Sequence, residues 1–165
     1  MEKELLNTPK FKVVQKETAS GTTAIIRHPG AVVILPIFEN GNVCLIRNRR
    51  KAVDQVLIEL PAGTLEPNEP PAVTAKRELA EETGYRAEAI QPLFDYFVSP
   101  GILDERMHAF VATGLTPGPT NLMDDEEIET LVVPLTEALD WIQTGKIEDA
   151  KTIATLLFYC RFQDE

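Results

Sequence analysis

Three glutamates stand close together at Glu78, Glu81 and Glu82, directly after Arg77. On a helix that advances about 100° per residue, spacings of three and four place the three carboxylates within an arc of about 100°. Like charges so arranged repel, and a helix gains more from alternating signs. Such a cluster is either a solvated acidic face or a set of hard oxygen donors for a divalent cation. Ala72, Ala75 and Leu79 fall on a neighbouring arc and supply the apolar face that would hold the helix on a core.

The flanks decide between the two. From Gly63 the chain runs GTLEPNEPPAVTAKRELAEETGY. Gly63, Glu69, Arg77, Glu78, Leu79, Glu81, Glu82, Gly84 and Tyr85 are spaced as Gx5Ex7REUxEExGU, where U is a bulky apolar residue; Tyr85 is the softest match. The segment resembles the Nudix box, and so many placed residues make a specific signal. The resemblance implies a hydrolase that cleaves a nucleoside diphosphate linked to another moiety. It also implies a loop–helix–loop whose carboxylates hold Mg²⁺, with Mn²⁺ able to substitute. Carried over by position, the metal ligands are Glu78, Glu81, Glu82 and the carbonyl of Ala62. Glu81 and Glu82 are also the catalytic pair. Gly63, Glu69, Arg77 and Gly84 shape the box, Arg77 lying one turn before Glu81, where it can orient a carboxylate.

Similarity continues outside the box. IELPAGTLEPNE and SPGILDERMHAF resemble the corresponding stretches of ADP-ribose pyrophosphatases, and Pro100 stands 15 residues after Tyr85, where that subfamily carries a proline. The likeness implies Arg50 on the substrate phosphates, for which a guanidinium fork is suited. It also implies Arg27 as a second substrate arginine, with Ser99 and Glu105 on the ribose side of the cleft. In the acidic run MDDEEIE it implies Glu126 as a further metal ligand and Asp124 as general base on a loop that closes over the site. Two positions depart from the subfamily: Arg49 stands where an aromatic is usual, and an aspartate at 124 is one methylene shorter than glutamate. His28 and His108 are assigned no chemistry. Phe11 is a candidate for stacking on adenine.

The implied reaction gives AMP and ribose 5-phosphate from ADP-ribose. A related nucleoside diphosphate sugar such as GDP-mannose is the alternative, because pocket walls rather than the box select the base. A non-catalytic ADP-ribose sensor is opposed by the complete carboxylate set and the lack of room for an appended DNA-binding domain.

Composition agrees with this reading. The chain has 165 residues, which suits one domain over 1–165. It is 44% hydrophobic and 25% charged, as a soluble globular protein would be. A net charge of −10 disfavours nucleic acid and anionic membrane as partners, while a phosphate ligand remains accessible through bridging cations. No window is apolar enough to span a membrane, and MEKELLNTPK lacks the pattern of a signal peptide. Cys44 and Cys160 are expected to be two buried thiols of a reducing, cytoplasmic compartment.

The elements that position these residues are read as follows. Strands are expected over 11–20 and 22–26, over the continuous apolar run Ala31–Phe38, and from Asn42 to Arg50 after a hairpin turn at 39–42. VLIELPAG leads into the box. The box helix runs from the Pro70–Pro71 pair to Thr83, stopped by Gly84. Strands follow at 93–98, 107–113 and TLVVPL. A helix capped by Thr136 ends at Gly145, and a last helix runs from Asp149 to about Phe162. The class is α+β: an α/β/α sandwich on a mixed sheet, preceded by N-terminal antiparallel strands. The resemblance further implies a homodimer formed through residues 1–28.

Overall fold

The computed structural model describes residues 2–19, 21–122 and 127–162. Strands β1 (Glu2–Asn7), β2 (Lys12–Thr18) and β3 (Gly21–Arg27) form an antiparallel sheet of their own. Next come β4 (Ala31–Pro36), β5 (Asn42–Arg50), β6 (Gln55–Glu59) and β7 (Ala62–Thr64). Helix α1 (Pro71–Thr83) precedes β8 (Tyr85–Phe97), β9 (Arg106–Pro117) and β10 (Ile128–Pro134). Helices α2 (Leu135–Gln143) and α3 (Ala150–Phe162) follow. A four-stranded sheet has the order β7-β4-β9-β8, and a three-stranded sheet the order β10-β5-β6.

β4 is the hub. All six of its residues are buried, as its unbroken apolar sequence requires. Its side chains alternate between two cores. Val32 and Ile34 pack with Ala75 and Leu79 of α1 and with Phe110 and Ala112 of β9. Val33 and Leu35 face the opposite way, onto Val43 and Leu45 of β5, Ala138 of α2 and Leu156 of α3. The sheet is therefore covered by α1 on one side and by α2, α3 and the second sheet on the other. This is the α/β/α arrangement anticipated from the sequence, and its class is α+β. β4 runs parallel to β9 and antiparallel to β7.

Helix α1 starts behind Pro70 with a proline in its first turn. It stops at Gly84, whose φ of 73° is the left-handed conformation glycine adopts without strain and whose N–H donates to the Ala80 carbonyl at 3.0 Å.

Some expectations need correction. β1 was not foreseen. Its six residues are all exposed, so it carries no buried-face pattern, and it is held by pairing with β2. β8 begins at Tyr85 rather than at 93. Pro92 obscures the strand, but β8 is an edge strand and shifts register between Pro92 and Phe94, where a missing N–H is tolerated. β9 runs on to Pro117 because Tyr85–Ala87 of β8 pair with Leu115–Pro117. Helix α2 begins at Leu135 after Pro134, so Thr136 lies within its first turn and is not its cap. Cys44 is buried, and burial pushes its thiol up to about 12, but Cys160 is exposed. No helix of the described residues is long and apolar enough to cross a membrane.

Candidate active site

The site is built where β7 meets α1. The two face each other because α1 packs through Ala75 and Leu79 onto β4, the strand to which β7 is hydrogen-bonded. Glu82, 5% exposed, accepts the Ala62 N–H at 2.9 Å. One turn earlier, Glu78 lies against Gly63: a Cβ built on that glycine would coincide with the Glu78 carboxylate. Two carboxylates spaced i, i+4 thus close on two consecutive residues of one short strand.

Arg77 is the counter-charge. Its Nε and Nη2 grip both oxygens of Glu69 at 3.1 and 2.9 Å. Its Nη1 donates to Glu78 at 2.7 Å and to Glu81 at 3.1 Å. One cation therefore orders three of the four box carboxylates, and the like-charge repulsion expected on this face is offset within the box. Thr74, fully buried, donates to Glu69 at 2.8 Å and completes the carboxylate's setting. The Arg77 guanidinium, assisted by Thr74, holds the Glu69 carboxyl at about 2, far below its usual 4.5. A group depressed in the folded state contributes stability above its unfolded value and loses that contribution as pH falls through its folded value. Stability of the chain is therefore expected to decline from about pH 4.5 towards pH 2. Denaturant titrations across that window check it: Glu69→Gln should flatten this part of the decline, and a wild-type slope retained in the variant would assign it to other carboxylates.

The donor set suits a hard divalent cation. Among the described residues no three acidic, histidine or cysteine side chains converge on one point, because Arg77 engages Glu78 and Glu81. The candidate ligands among the described residues are nevertheless all oxygens: Glu78, Glu81 and Glu82 lie on one helix, which faces the strand of Ala62 and a glycine whose missing Cβ leaves room for a carboxylate. Those residues fit the ion the sequence implies.

Arg50, at the end of β5, makes a two-pronged pair with Glu59, at 2.7 Å from Nε and 2.5 Å from Nη2. This bond to Glu59 is the main cause that raises the Arg50 pKa, with Asp149 and Glu82 adding weaker electrostatic contributions. Arg49 behaves differently: it turns to Asp54 at 2.6 Å on the surface.

A second group forms where β3 ends. Arg27 pairs with Glu2 and, at 2.7 Å, with Asp104. Asp104 also accepts the His28 N–H at 2.8 Å. The Ser99 carbonyl accepts the N–H groups of Ile102 and Leu103, which folds the Ser99–Pro100–Gly101 segment into a turn. Glu105 lies 3.4 Å from the His28 ring. Arg27 and Glu105 are thus gathered round one turn, but each already has a protein partner. Asp124 and Glu126 lie outside the described residues.

Sequence reasoning passed over Glu59, Asp149 and Lys151, which join Arg50 in one ionic group. The signal was present in VLIEL: a carboxylate inside the otherwise apolar run from Val56 to Leu60. Glu59 is completely buried.

A family model described as NUDIX domain matches residues 27–156. A "Methanol dehydrogenase activator" of Bacillus methanolicus is 38% identical over 154 residues, covering 90% of this chain and 83% of that one. An "ADP-ribose pyrophosphatase" of Bacillus subtilis (strain 168) is 38% identical over 130 residues, covering 78% and 70%. A "GDP-mannose pyrophosphatase" of Cronobacter sakazakii is 40% identical over 139 residues, covering 79% and 72%. Among solved structures, "Crystal structure of ADP compounds hydrolase" superposes with a TM-score of 0.82 over 99% of this chain and 92% of that one, at 22% identity, which speaks for a shared fold.

Proposed function

The chain belongs to the Nudix family of hydrolases, and from that premise we propose that it cleaves the diphosphate of ADP-ribose to AMP and ribose 5-phosphate. The observation that carries the proposal is the closure of Glu78 and Glu82 on Ala62 and Gly63, with Arg77 ordering the remaining box carboxylates. It supports a rigid oxygen-donor surface beside a guanidinium.

The ion assigned to that surface is Mg²⁺, with Mn²⁺ as substitute, held by the Ala62 carbonyl, Glu78, Glu81, Glu82 and Glu126. When bound, such an ion neutralises diphosphate charge and makes a coordinated water more acidic. The remaining work falls to the chain. Arg50 grips the phosphates, Arg27 is a second substrate arginine, Ser99 and Glu105 line the ribose side of the cleft, and Asp124 accepts the proton of the attacking water. Gly63, Glu69, Arg77 and Gly84 keep helix and loop in register. Exposed Phe11 is the candidate for the adenine ring.

The role of Arg50 has a direct check. Arg50→Ala is expected to reduce kcat/KM for ADP-ribose by about 1–3 kcal/mol, the range of a charge-assisted contact. Arg49→Ala, whose side chain is engaged with Asp54, is expected to do much less. Equal losses would reduce Arg50 to one member of a basic patch.

GDP-mannose is the second reading, favoured by the 40% identity to a GDP-mannose pyrophosphatase. Product release from ADP-ribose, ADP-glucose, GDP-mannose and diadenosine polyphosphates, with Mg²⁺ and with chelator, separates the two. ADP-ribose should be turned over with the highest kcat/KM, and only with metal.

The assembly assigned to the enzyme is a cytoplasmic homodimer of single-domain subunits, joined through residues 1–28. The sheet β1-β2-β3 supports this: Leu5 and Leu6 are about half exposed and only Val14 of its apolar residues is buried. Light scattering should give about twice 18.3 kDa, and deletion of residues 1–20 should lower both the dimer fraction and turnover. A fully active monomer at micromolar concentration would overturn this assignment.

A further inference from the structure

Glu59 has no exposed surface, yet it carries a carboxylate. A buried charge needs a partner, and the loss of its partner is strongly destabilising. Glu59 has two. Arg50 takes both oxygens, and Lys151 donates to Oε2 at 2.5 Å. The two cations differ in freedom. The Arg50 side chain is 41% exposed and ends a strand at the surface, whereas that of Lys151 is 12% exposed. Lys151 is also anchored. It donates to Asp149 at 2.9 Å. The other Asp149 oxygen accepts the Thr152 N–H at 3.0 Å and the Thr152 hydroxyl at 2.6 Å. Thr152 Oγ1 in turn accepts the N–H of Leu60, the residue after Glu59, at 2.8 Å. The ammonium is therefore fixed to the same strand end as the carboxylate it neutralises, and Arg50 is the partner able to leave.

We propose that Lys151 is a positioning residue for substrate capture: it keeps Glu59 neutralised so that Arg50 can exchange that carboxylate for a diphosphate. The proposal rests on the reading of Arg50 as a phosphate-binding residue. Without the ammonium, withdrawal of Arg50 would strand a buried carboxylate, so Glu59 would hold the guanidinium more tightly against the substrate. The same contact to phosphate exists before and during reaction, so the effect falls on KM rather than on kcat.

Lys151→Gln is expected to raise KM for ADP-ribose about tenfold, the size of one charge-assisted contact, with kcat within about twofold of wild type. Lys151→Arg should restore KM. In a Glu59→Gln background, Lys151→Gln should raise KM no further, because no buried carboxylate is left to hold the guanidinium. An unchanged KM in Lys151→Gln, a further rise in the Glu59→Gln background, or equal loss of kcat in the glutamine and arginine variants would each overturn the proposal. Should Lys151→Gln fail to fold, Glu59→Gln is measured in its place: with no buried carboxylate to draw it back, Arg50 is free for the diphosphate and KM should not rise, and a tenfold rise would overturn the proposal. If wild type does not hydrolyse ADP-ribose, the substrate reading fails by itself, and the same variants are compared on whichever diphosphate of the panel is cleaved.

Discussion

Glu82→Gln is expected to lower kcat by about 10²–10³-fold at saturating Mg²⁺, the cost of removing one electrostatic stabiliser from a preorganised site. The substitution isolates charge from shape. Glu82 is nearly buried and accepts the Ala62 N–H, and a glutamine carbonyl can accept that same bond. β7 should therefore stay seated on α1, and the melting temperature should stay close to that of wild type. Only the anionic oxygens offered to a cation are lost. The Mg²⁺ concentration that gives half the maximal rate should also rise, as expected for loss of a ligand. A rate equal to wild type would remove Glu82 from the mechanism.

Gly63→Ala is the second large effect, and it separates activity from stability in the same way. Gly63 is not among the residues with positive φ, so alanine brings no backbone strain. Its methyl would occupy the place of the Glu78 carboxylate, which is the free end of a flexible side chain. Glu78 must swing away, at modest cost to the fold. Turnover is expected to fall by about 10²-fold, as for loss of one preorganised group. A double-mutant cycle provides the test. In a Glu78→Gln background, Gly63→Ala should cost much less than it does alone. Additive losses would show that the glycine acts through something other than Glu78.

The box was legible because its constraints are local. Carboxylate spacing, the prolines at 70 and 71 and the stop at Gly84 all act within one helix, and α1 runs over the expected residues. β4 was legible because a strand buried on both faces must be apolar throughout. What escaped depended on distant partners. The first half of β8 exists because β9 pairs with it, and Pro92 hides it. β1 has no apolar alternation, and only its hydrogen bonds to β2 define it. The ionic group of Arg50, Glu59, Asp149 and Lys151 joins residues about ninety positions apart, so no window along the chain contains it. Arg50 was found by resemblance, while the carboxylate that holds it could be found only in three dimensions. The exposure of Cys160 has a related cause: α3 is apolar on more than one side, and spacing alone left open which side meets the core.

The parallel pairing of β4 with β9 carries a consequence for folding kinetics. Ala31 lies beside Met107, and β5, β6, β7, α1 and β8 all belong to the chain between them. Closing so long a loop has an entropic cost that short hairpins avoid, and contacts of this range slow the search for the native state. The inner face of α1 rests on Val32 and Ile34 from one side of that closure and on Phe110 and Ala112 from the other. The platform that seats the box helix is therefore incomplete until β9 has been synthesised and docked. Nascent chains ending before residue 106 carry every box glutamate but lack the β9 half of the platform that seats the helix, so competence for the reaction is expected to be acquired late.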